Sequence, residues 1–525
     1  MRSVRESNDF CQRRDLIDPA ARGPYAWKIS HPRIALIASE IEPFAKTGGL
    51  ADMVGSFSHA LVKLGRRPAL FLPKYASIPA RYLGKARGEL CVTAGGRSFA
   101  VKIISGKNPA GAELYLFEIP GLFDRPGLYG ESAGDFPDNC LRFTVFCAAV
   151  LEWIRGLENP YEILHCHDWQ TALIPIALKT RLAQDPAFAK SRCLLTLHNM
   201  AYQGNFPREE FPTLGLEDRY FHPDWLEFYQ KFSLLKGGIV TADALTTVSP
   251  TYAREILESE LGFGMQGVLE KRRDRLMGIL NGIDEEEWDP QRSPDLPFHY
   301  SADSLQGKAG CKTALQRELG LPERPETPLF GTISRLVDQK GIDLLMEAFG
   351  KSPELDFQWA LLGQGEARFE AGLRRLAERM PERMALRLGY DVGLSQRLTA
   401  GADFLAMPSR FEPCGYNQLY ALRYGTLPIV HGIGGLKDSV RDLIREPEGG
   451  TGFVLESLEG DALREGLQGA AELFRQKDAL EAARRRAMAA DFTWKYSARQ
   501  YLELYDRMLQ EPPWRPPPPQ AQPSP

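Results

Sequence analysis

Arg33-Ile34-Ala35-Leu36-Ile37-Ala38-Ser39-Glu40, followed closely by Lys46-Thr47-Gly48-Gly49-Leu50-Ala51-Asp52, reads as a strand, a glycine turn carrying a lysine, and the start of a helix. Such a unit suits a phosphate: adjacent glycines let the backbone approach a ligand, and the first N–H groups of a helix point their positive dipole end at an anion. An ordinary tight turn between a strand and a helix is the competing reading of this string alone. The pattern repeats outward from it. Short apolar runs at 33–39, 68–73, 161–165, 193–197 and 244–248 are each followed by an amphipathic segment. After Asn281-Gly282-Ile283-Asp284 and a polar, proline-bearing stretch to Pro297, the scheme restarts at 328–334 and continues at 357–362, 404–407 and 426–430. Strands alternating with helices predict parallel, doubly wound sheets. The expected organisation is α/β, with two Rossmann-like domains facing a central cleft: 33–275 and 276–491, after a loose extension at 1–32. A helix at 492–510 with an aromatic face (Trp494, Ala498, Tyr501, Leu502, Tyr505, Leu509) is expected to pack back on the first domain, and the Pro-rich stretch 511–525 to be disordered.

Composition narrows the class. The chain has 525 residues, 43% of them hydrophobic and 25% charged, with a net charge of -4. A chain of this length accommodates two or more domains, and its charge does not suggest a nucleic-acid partner. Eight scattered cysteines form no CxxC pair or zinc-ribbon spacing, which fits a reducing cytoplasm. Residues 1–32 lack the apolar core of a signal peptide, and no apolar stretch approaches the roughly 20 residues of a membrane span.

Several motifs fall at the carboxyl ends of predicted strands, where open α/β sheets bind ligands. Ser334-Arg335-Leu336-Val337-Asp338-Gln339-Lys340-Gly341 offers a planar fork and a compact charge to an anion, although two solvated loop cations would look the same. His165-Cys166-His167-Asp168-Trp169 ends another strand; a structural histidine competes with a ligand-facing one, and a metal site lacks further ligands. Pro408-Ser409-Arg410-Phe411-Glu412-Pro413-Cys414-Gly415 places a carboxylate in a turn before a helix, and Cys414 reads as a packing residue in preference to a reactive thiol. Gly48-Gly49-Leu50-Ala51-Asp52-Met53-Val54 is echoed by Gly434-Gly435-Leu436-Lys437-Asp438-Ser439-Val440, so each half offers a glycine turn at a helix start. The chain contains no Asp-x-Asp triplet. If it handles a nucleotide diphosphate, Arg335, Lys340 and Lys46 must take the place of a metal in neutralising the leaving group.

Together, KTGGLAD (46–52), HCHDW (165–169), HNMAYQG (198–204), TTVSPTYAREI (246–256), GILNGID (278–284), SRLVDQKG (334–341) and PSRFEPCGYNQLYALRYG (408–425) resemble the bacterial glycogen synthases and plant starch synthases, in order and spacing over about 33–510. The resemblance implies a B-type glycosyltransferase fold and transfer of glucose from ADP-glucose to the non-reducing end of an α-1,4-glucan with retention of configuration. No metal or other cofactor, no nucleic-acid or membrane partner, and a cytoplasmic location are expected. The resemblance places Lys46 on the sugar nucleotide, Arg335 and Lys340 on the diphosphate, Glu412 on the glucose hydroxyls and His167 near the anomeric centre. Asp52, Asp138 and Asn281 join the cleft, and Gly48, Gly49, Cys414, Gly415, Gly434 and Gly435 complete the expected substrate-binding set. Two stretches depart from the family pattern: His431-Gly432-Ile433, where an Arg-x-Thr is usual, and Tyr416-Asn417, where Leu-Thr is usual. They bear on donor contacts more than on reaction type. A relative using UDP-glucose, and a silent glucan-binding homologue, are the alternatives.

Overall fold

A computed structural model describes residues 31–519 apart from 132–133, 353–354 and 460. The expected loose extension at 1–32 falls almost wholly outside the described residues, as do the last six of the chain. Two compact units are present. The first takes the described residues to Val248, Ala253–Ile279 and the chain from Trp494 onward; the second takes Ser249–Tyr252 and Leu280–Thr493.

The first unit is built on a nine-stranded sheet. Its strands are β1 (Ile34–Ile37), β2 (Ala69–Pro73), β3 (Ala86–Ala94), β4 (Arg97–Lys107), β5 (Glu113–Glu118), β6 (Ile163–His167), β7 (Arg192–Leu197), β8 (Ala244–Thr247) and β9 (Leu276–Gly278). They lie in the order β9-β8-β7-β6-β1-β2-β5-β4-β3. The strands from β9 to β5 are parallel, and β4 and β3 extend the edge as an antiparallel hairpin. Every residue of β1, β2, β6 and β8 is buried, as a sheet covered on both faces requires. Helix α1 (Gly49–Lys63) follows β1 and packs against the C-terminal helix Trp494–Gln510. Phe57 of α1 meets Tyr501 with ring centroids 4.7 Å apart and Trp494 at 5.4 Å. Trp494, Ala498, Tyr501 and Tyr505 are buried on that helix, joined by Leu504 and Met508 in place of the expected Leu502 and Leu509. The helical stripe drifts by that much over four turns.

The expectation of disorder from residue 511 fails through residue 519. Glu511 pairs with Arg275 at 2.7 Å. Trp514 donates its backbone N–H to Asp243 (2.8 Å) and its indole N–H to the Val240 carbonyl (2.8 Å), while the Arg272 guanidinium lies 4.1 Å from its ring centroid. Trp225 donates to the Pro517 carbonyl at 3.0 Å. Proline composition signals an absence of regular structure, and one well-anchored tryptophan is enough to dock such a segment. Trp514→Ala removes a cation–π contact and the indole hydrogen bond, a loss of about 1–2 kcal/mol. The melting temperature of the variant is expected to fall by about 2–4 °C, as read by scanning fluorimetry; an unchanged value would show that the strap carries no stability.

The second unit holds six parallel strands, β10 (Leu329–Leu336), β11 (Gln358–Gly365), β12 (Met384–Leu388), β13 (Phe404–Met407), β14 (Leu427–His431) and β15 (Phe453–Leu455), in the order β12-β11-β10-β13-β14-β15. Trp359 of β11 is fully buried, stacks on Phe349 at 4.3 Å and donates its indole N–H to Thr332 at 3.0 Å. The neighbouring strands β10 and β13 place the two loops of interest side by side.

Candidate active site

In the first unit the residues of interest gather beyond the carboxyl ends of β1, β6 and β7. Glu40, buried just after β1, fills the glycine turn with its own carboxylate. It accepts from the Thr47 amide, the Thr47 hydroxyl (2.7 Å), the Gly48 amide (3.2 Å) and the Tyr129 hydroxyl (2.6 Å). The turn therefore has an internal anion on its inner side. Its outer side stays open: Gly48 has an ordinary extended φ of -163°, and a Cβ built there meets nothing within 4 Å. The fold does not itself demand glycine at 48, which agrees with close approach of something other than protein. Gly49 and Leu50 open α1, whose first-turn amides have no intrahelical acceptor. Lys46 is tied to Asp52 at 2.6 Å, with Glu42 at 3.8 Å. Burial raises the Asp52 carboxyl, and the Lys46 charge works against that rise.

His167, the last residue of β6, is fully buried. Its Nδ1 faces His198 Nε2 at 3.0 Å, and its Nε2 is buried with no hydrogen-bond partner. The adjacent Asp168 takes a left-handed backbone, φ 56°, rare for a non-glycine residue. Its Oδ1 accepts from the His198 amide at 2.7 Å, so the ends of β6 and β7 are laced together through side chain and backbone. Burial pushes the His198 imidazole down to about 3 and holds His167 well below the ordinary histidine range. Burial likewise pushes the Asp168 carboxyl up to about 8. Both histidine rings are thus neutral near pH 7. His165 points elsewhere: its Nδ1 meets Tyr505 at 2.7 Å and its Nε2 meets Thr196 at 2.6 Å. With both nitrogens occupied, it acts as a core histidine. Among the described residues no group of three or more His, Cys, Asp and Glu is arranged to hold a metal. Asp138 stands before the helix Asn139–Arg155 and takes a two-pronged grip from Arg125 at 2.8 and 2.7 Å. Burial would raise its carboxyl, but the guanidinium holds it below the usual range.

In the second unit the loops after β10 and β13 interlock. Arg410 donates its amide to the Gln339 carbonyl (2.8 Å) and forks onto Asp343 at 2.9 and 2.6 Å; Gln339 donates to the Phe411 carbonyl at 3.0 Å. Gly341 has φ +65°, and a Cβ there would sit 2.2 Å from the Pro408 carbonyl oxygen, so this close approach requires glycine. The interlock joins Lys340 to Glu412, 72 positions apart, in an ion pair in which Ser409 also donates to the same carboxylate oxygen at 3.2 Å. Glu412 is 7% exposed. Arg335, near the end of β10, is exposed. Asn281 is buried with its Oδ1 lacking a partner. Cys414 is buried and its thiol is pushed up to about 12 by that burial, so it is protonated and inert near neutrality. Gly415 takes φ +73° at the turn into the next helix.

The echoing glycines do different work in the two units. The Gly435 amide donates to the Glu412 and Pro413 carbonyls, and a Cβ on Gly434 or Gly435 would lie 2.0 Å from the Glu412 oxygen or 2.1 Å from the Cys414 oxygen. These glycines let one backbone press against another and so brace the Glu412 turn. The paired aspartates diverge too: Asp52 holds Lys46, whereas Asp438 accepts from the Thr251 amide (2.7 Å) and hydroxyl (2.6 Å). The residues that depart from the family pattern also have structural work. Asn417 donates to the Ile333 carbonyl at 2.6 Å, and the His431 imidazole contacts the Ser409 carbonyl at 2.9 Å. Sequence reasoning passed over Glu40, Tyr129, His198, Asp168 and Ser409 as individual site members. Glu40, Asp168 and His198 each stand at or just past a strand's carboxyl end, the one signal that could have singled them out.

Comparison with known proteins decides the family. A family model described as the starch synthase catalytic domain matches residues 33–271, and one described as glycosyl transferases group 1 matches residues 315–486. Glycogen synthase 2 of Geobacter sulfurreducens is 42% identical over 478 residues, covering 90% of this chain and 98% of that protein. Glycogen synthase of Anaeromyxobacter dehalogenans strain 2CP-1 is 44% identical over 474 residues, with 90% and 98% covered. This chain belongs to the glycogen synthase and starch synthase family. The solved catalytic domain of starch synthase IV from Arabidopsis thaliana, bound to ADP and acarbose, is 32% identical with a TM-score of 0.85, covering 92% of this chain and all of that one. This family member is accordingly a glycosyltransferase, and its two Rossmann-like units are those of the B-type glycosyltransferase fold.

Proposed function

We propose that the protein is a glycogen synthase that transfers glucose from ADP-glucose to the 4-hydroxyl at the non-reducing end of an α-1,4-glucan, with retention of configuration. The observation that carries this reading is the buried Glu412 carboxylate, held by Lys340 and Ser409 beyond β10 and β13. A carboxylate that is oriented and shielded from water recognises sugar hydroxyls, and Lys340 and Arg335 offer the positive charge that a departing diphosphate needs. The names of the bacterial relatives, and the ADP and acarbose bound to the plant starch synthase, support the same substrates.

In the reaction the bond from the anomeric carbon to the diphosphate oxygen breaks, the acceptor oxygen bonds to that carbon, and the acceptor proton passes to the leaving diphosphate on the same face. Arg335 and Lys340 neutralise the charge that grows on the diphosphate. The role proposed for Lys46, and for the α1 amides of Gly49 and Leu50, is to hold the sugar nucleotide. His167, neutral and with a bare Nε2, supplies a hydrogen-bonding group at the reacting sugar but no charged acid. The co-substrate supplies the chemistry, and this reading calls for no metal or other cofactor.

Turnover with ADP-glucose and UDP-glucose on a glycogen primer tests the reading. ADP-glucose is expected to give the higher kcat/KM by at least about tenfold, which corresponds to a preference of about 1.4 kcal/mol in transition-state binding. Faster use of UDP-glucose would overturn the donor, and primer binding with no nucleotide release from either donor would overturn the activity.

A further inference from the structure

The strap at 513–519 and the body of the first unit enclose a cavity of about 610 Å³, a volume that accommodates a small metabolite. It lies at the far end of the sheet from the candidate site. Arg192 opens β7 and Asp243 immediately precedes β8, and both line the cavity, whereas His167 and His198 mark the carboxyl ends of β6 and β7. The glucosyl transfer proposed for this protein makes no use of it. The body of the unit contributes the buried rings of Phe188, Tyr220 and Trp225, the last two with centroids 4.7 Å apart. The strap contributes Trp514 and its flanking prolines.

The charge left over in this cavity is positive. Both carboxylates that line it are already occupied. Asp243 accepts from Lys179 at 2.6 Å and from the Cys193 and Trp514 amides at 2.8 Å each. Asp185 pairs with Arg155 and accepts from the Ala187 amide, at 3.0 Å each. Arg219, a further cation in the wall, pairs with Glu217 at 2.8 Å. Arg192 and Arg515 remain. Arg192 donates to two main-chain carbonyls, Ser191 at 3.1 Å and Glu511 at 3.3 Å, and its Nε is buried without a partner. Arg515 is exposed, and among the described residues neither guanidinium has a carboxylate partner. We propose that this cavity binds a phosphate monoester carried on a ring, at a site separate from the donor site. A phosphate monoester near neutral pH brings close to two negative charges, which matches the two unneutralised guanidiniums, and the guanidinium fork presents paired N–H donors to phosphate oxygens. The aromatic walls cover the ring. Because Trp514 and Arg515 come from the strap, the ligand holds the strap in place and the strap holds the ligand.

Isothermal titration of the full-length protein with phenyl phosphate and with ribose 5-phosphate tests the site, with phenol as the uncharged counterpart. At least one of the two phosphates is expected to bind one-to-one and to raise the melting temperature, as a ligand of the folded state must. The tighter of them identifies the ring as aromatic or saccharide. Phenol is expected to bind at least about tenfold more weakly than phenyl phosphate, and Arg515→Gln and Arg192→Gln each to weaken phosphate binding at least about tenfold. Arg515 is exposed, so its variant is expected to melt with the unliganded wild type and to turn over ADP-glucose at the wild-type rate. Saturating ADP is expected to leave the titration unchanged, because the candidate donor residues lie elsewhere. Failure of both phosphates to bind at millimolar concentration would overturn the site. So would binding that ADP abolishes, or binding that keeps its full strength in both variants; each of these results leaves the glycogen synthase reading intact.

Discussion

Lys340→Ala is expected to lower kcat by about 10²–10³-fold while the KM for the glucan primer stays within about threefold, the pattern of an interaction made chiefly in the transition state. The ammonium lies on Glu412 beside the Ser409 hydroxyl, at the carboxyl ends of β10 and β13. In the proposed reaction its part is to meet the negative charge that develops as the diphosphate leaves, and a donor aimed at developing charge contributes more to the rate than to ground-state binding. The substitution has a second consequence. Glu412 is 8% exposed at its side chain and Lys340 18%, so removing the cation leaves a shielded carboxylate without its ion partner, and the melting temperature falls. Assay at a temperature far below melting separates the two effects. Lys340→Arg should recover part of the stability but not the full rate, since a planar fork does not replace a compact charge at an ion pair of this geometry. Near-normal turnover in the folded Lys340→Ala variant would remove the electrostatic role.

The fold was legible wherever a strand is buried on both faces. The apolar runs that form β1, β2, β6, β7 and β8, and those of β10, β11, β13 and β14, stand out because a parallel sheet covered by helices needs unbroken hydrophobic stretches. The hairpin β3–β4 was missed because its strands are half exposed and their sequence alternates, and β12 and β15 because they are short edge pieces. The site was legible in its charged members, which stand in motifs. Its tertiary pairings were not: Lys340 meets Glu412 only because β10 and β13 are sheet neighbours, and Tyr129 reaches Glu40 across 89 positions. The glycine echo shows the limit from the other side. Its two copies are alike in letters, yet Gly48 faces open space while Gly434 and Gly435 press on backbone.

Stability is expected to fall on acidification below about pH 6.5, by on the order of 1 kcal/mol or more per pH unit. The sign follows from four buried groups. Burial holds His165 and His167 well below the usual histidine range and puts His198 at about 3, so these rings stay neutral in the folded protein. In the unfolded chain each takes up a proton below about 6.5. Each depressed imidazole thus contributes stability that is present above the unfolded value and lost as pH falls. Asp168 works in the opposite sense. Burial raises its carboxyl to about 8, against about 3.9 when unfolded, so the folded state holds a proton there throughout the window, and that contribution is lost as pH rises through about 8. Three groups favour proton uptake by the unfolded state and one by the folded state, so stability falls as pH falls through this window. Of these four groups only Asp168 changes protonation above about pH 6.5, which places their combined stability maximum near that value. Chemical denaturation or melting at fixed ionic strength across pH 4.5–8.5 measures both limbs. A flat profile between pH 6.5 and 5 would mean that the histidines titrate freely, and His167 could then carry charge at the reacting sugar. An acid limb instead agrees with burial keeping the His167 ring neutral near pH 7, so that it offers the reacting sugar a hydrogen bond and not a positive charge.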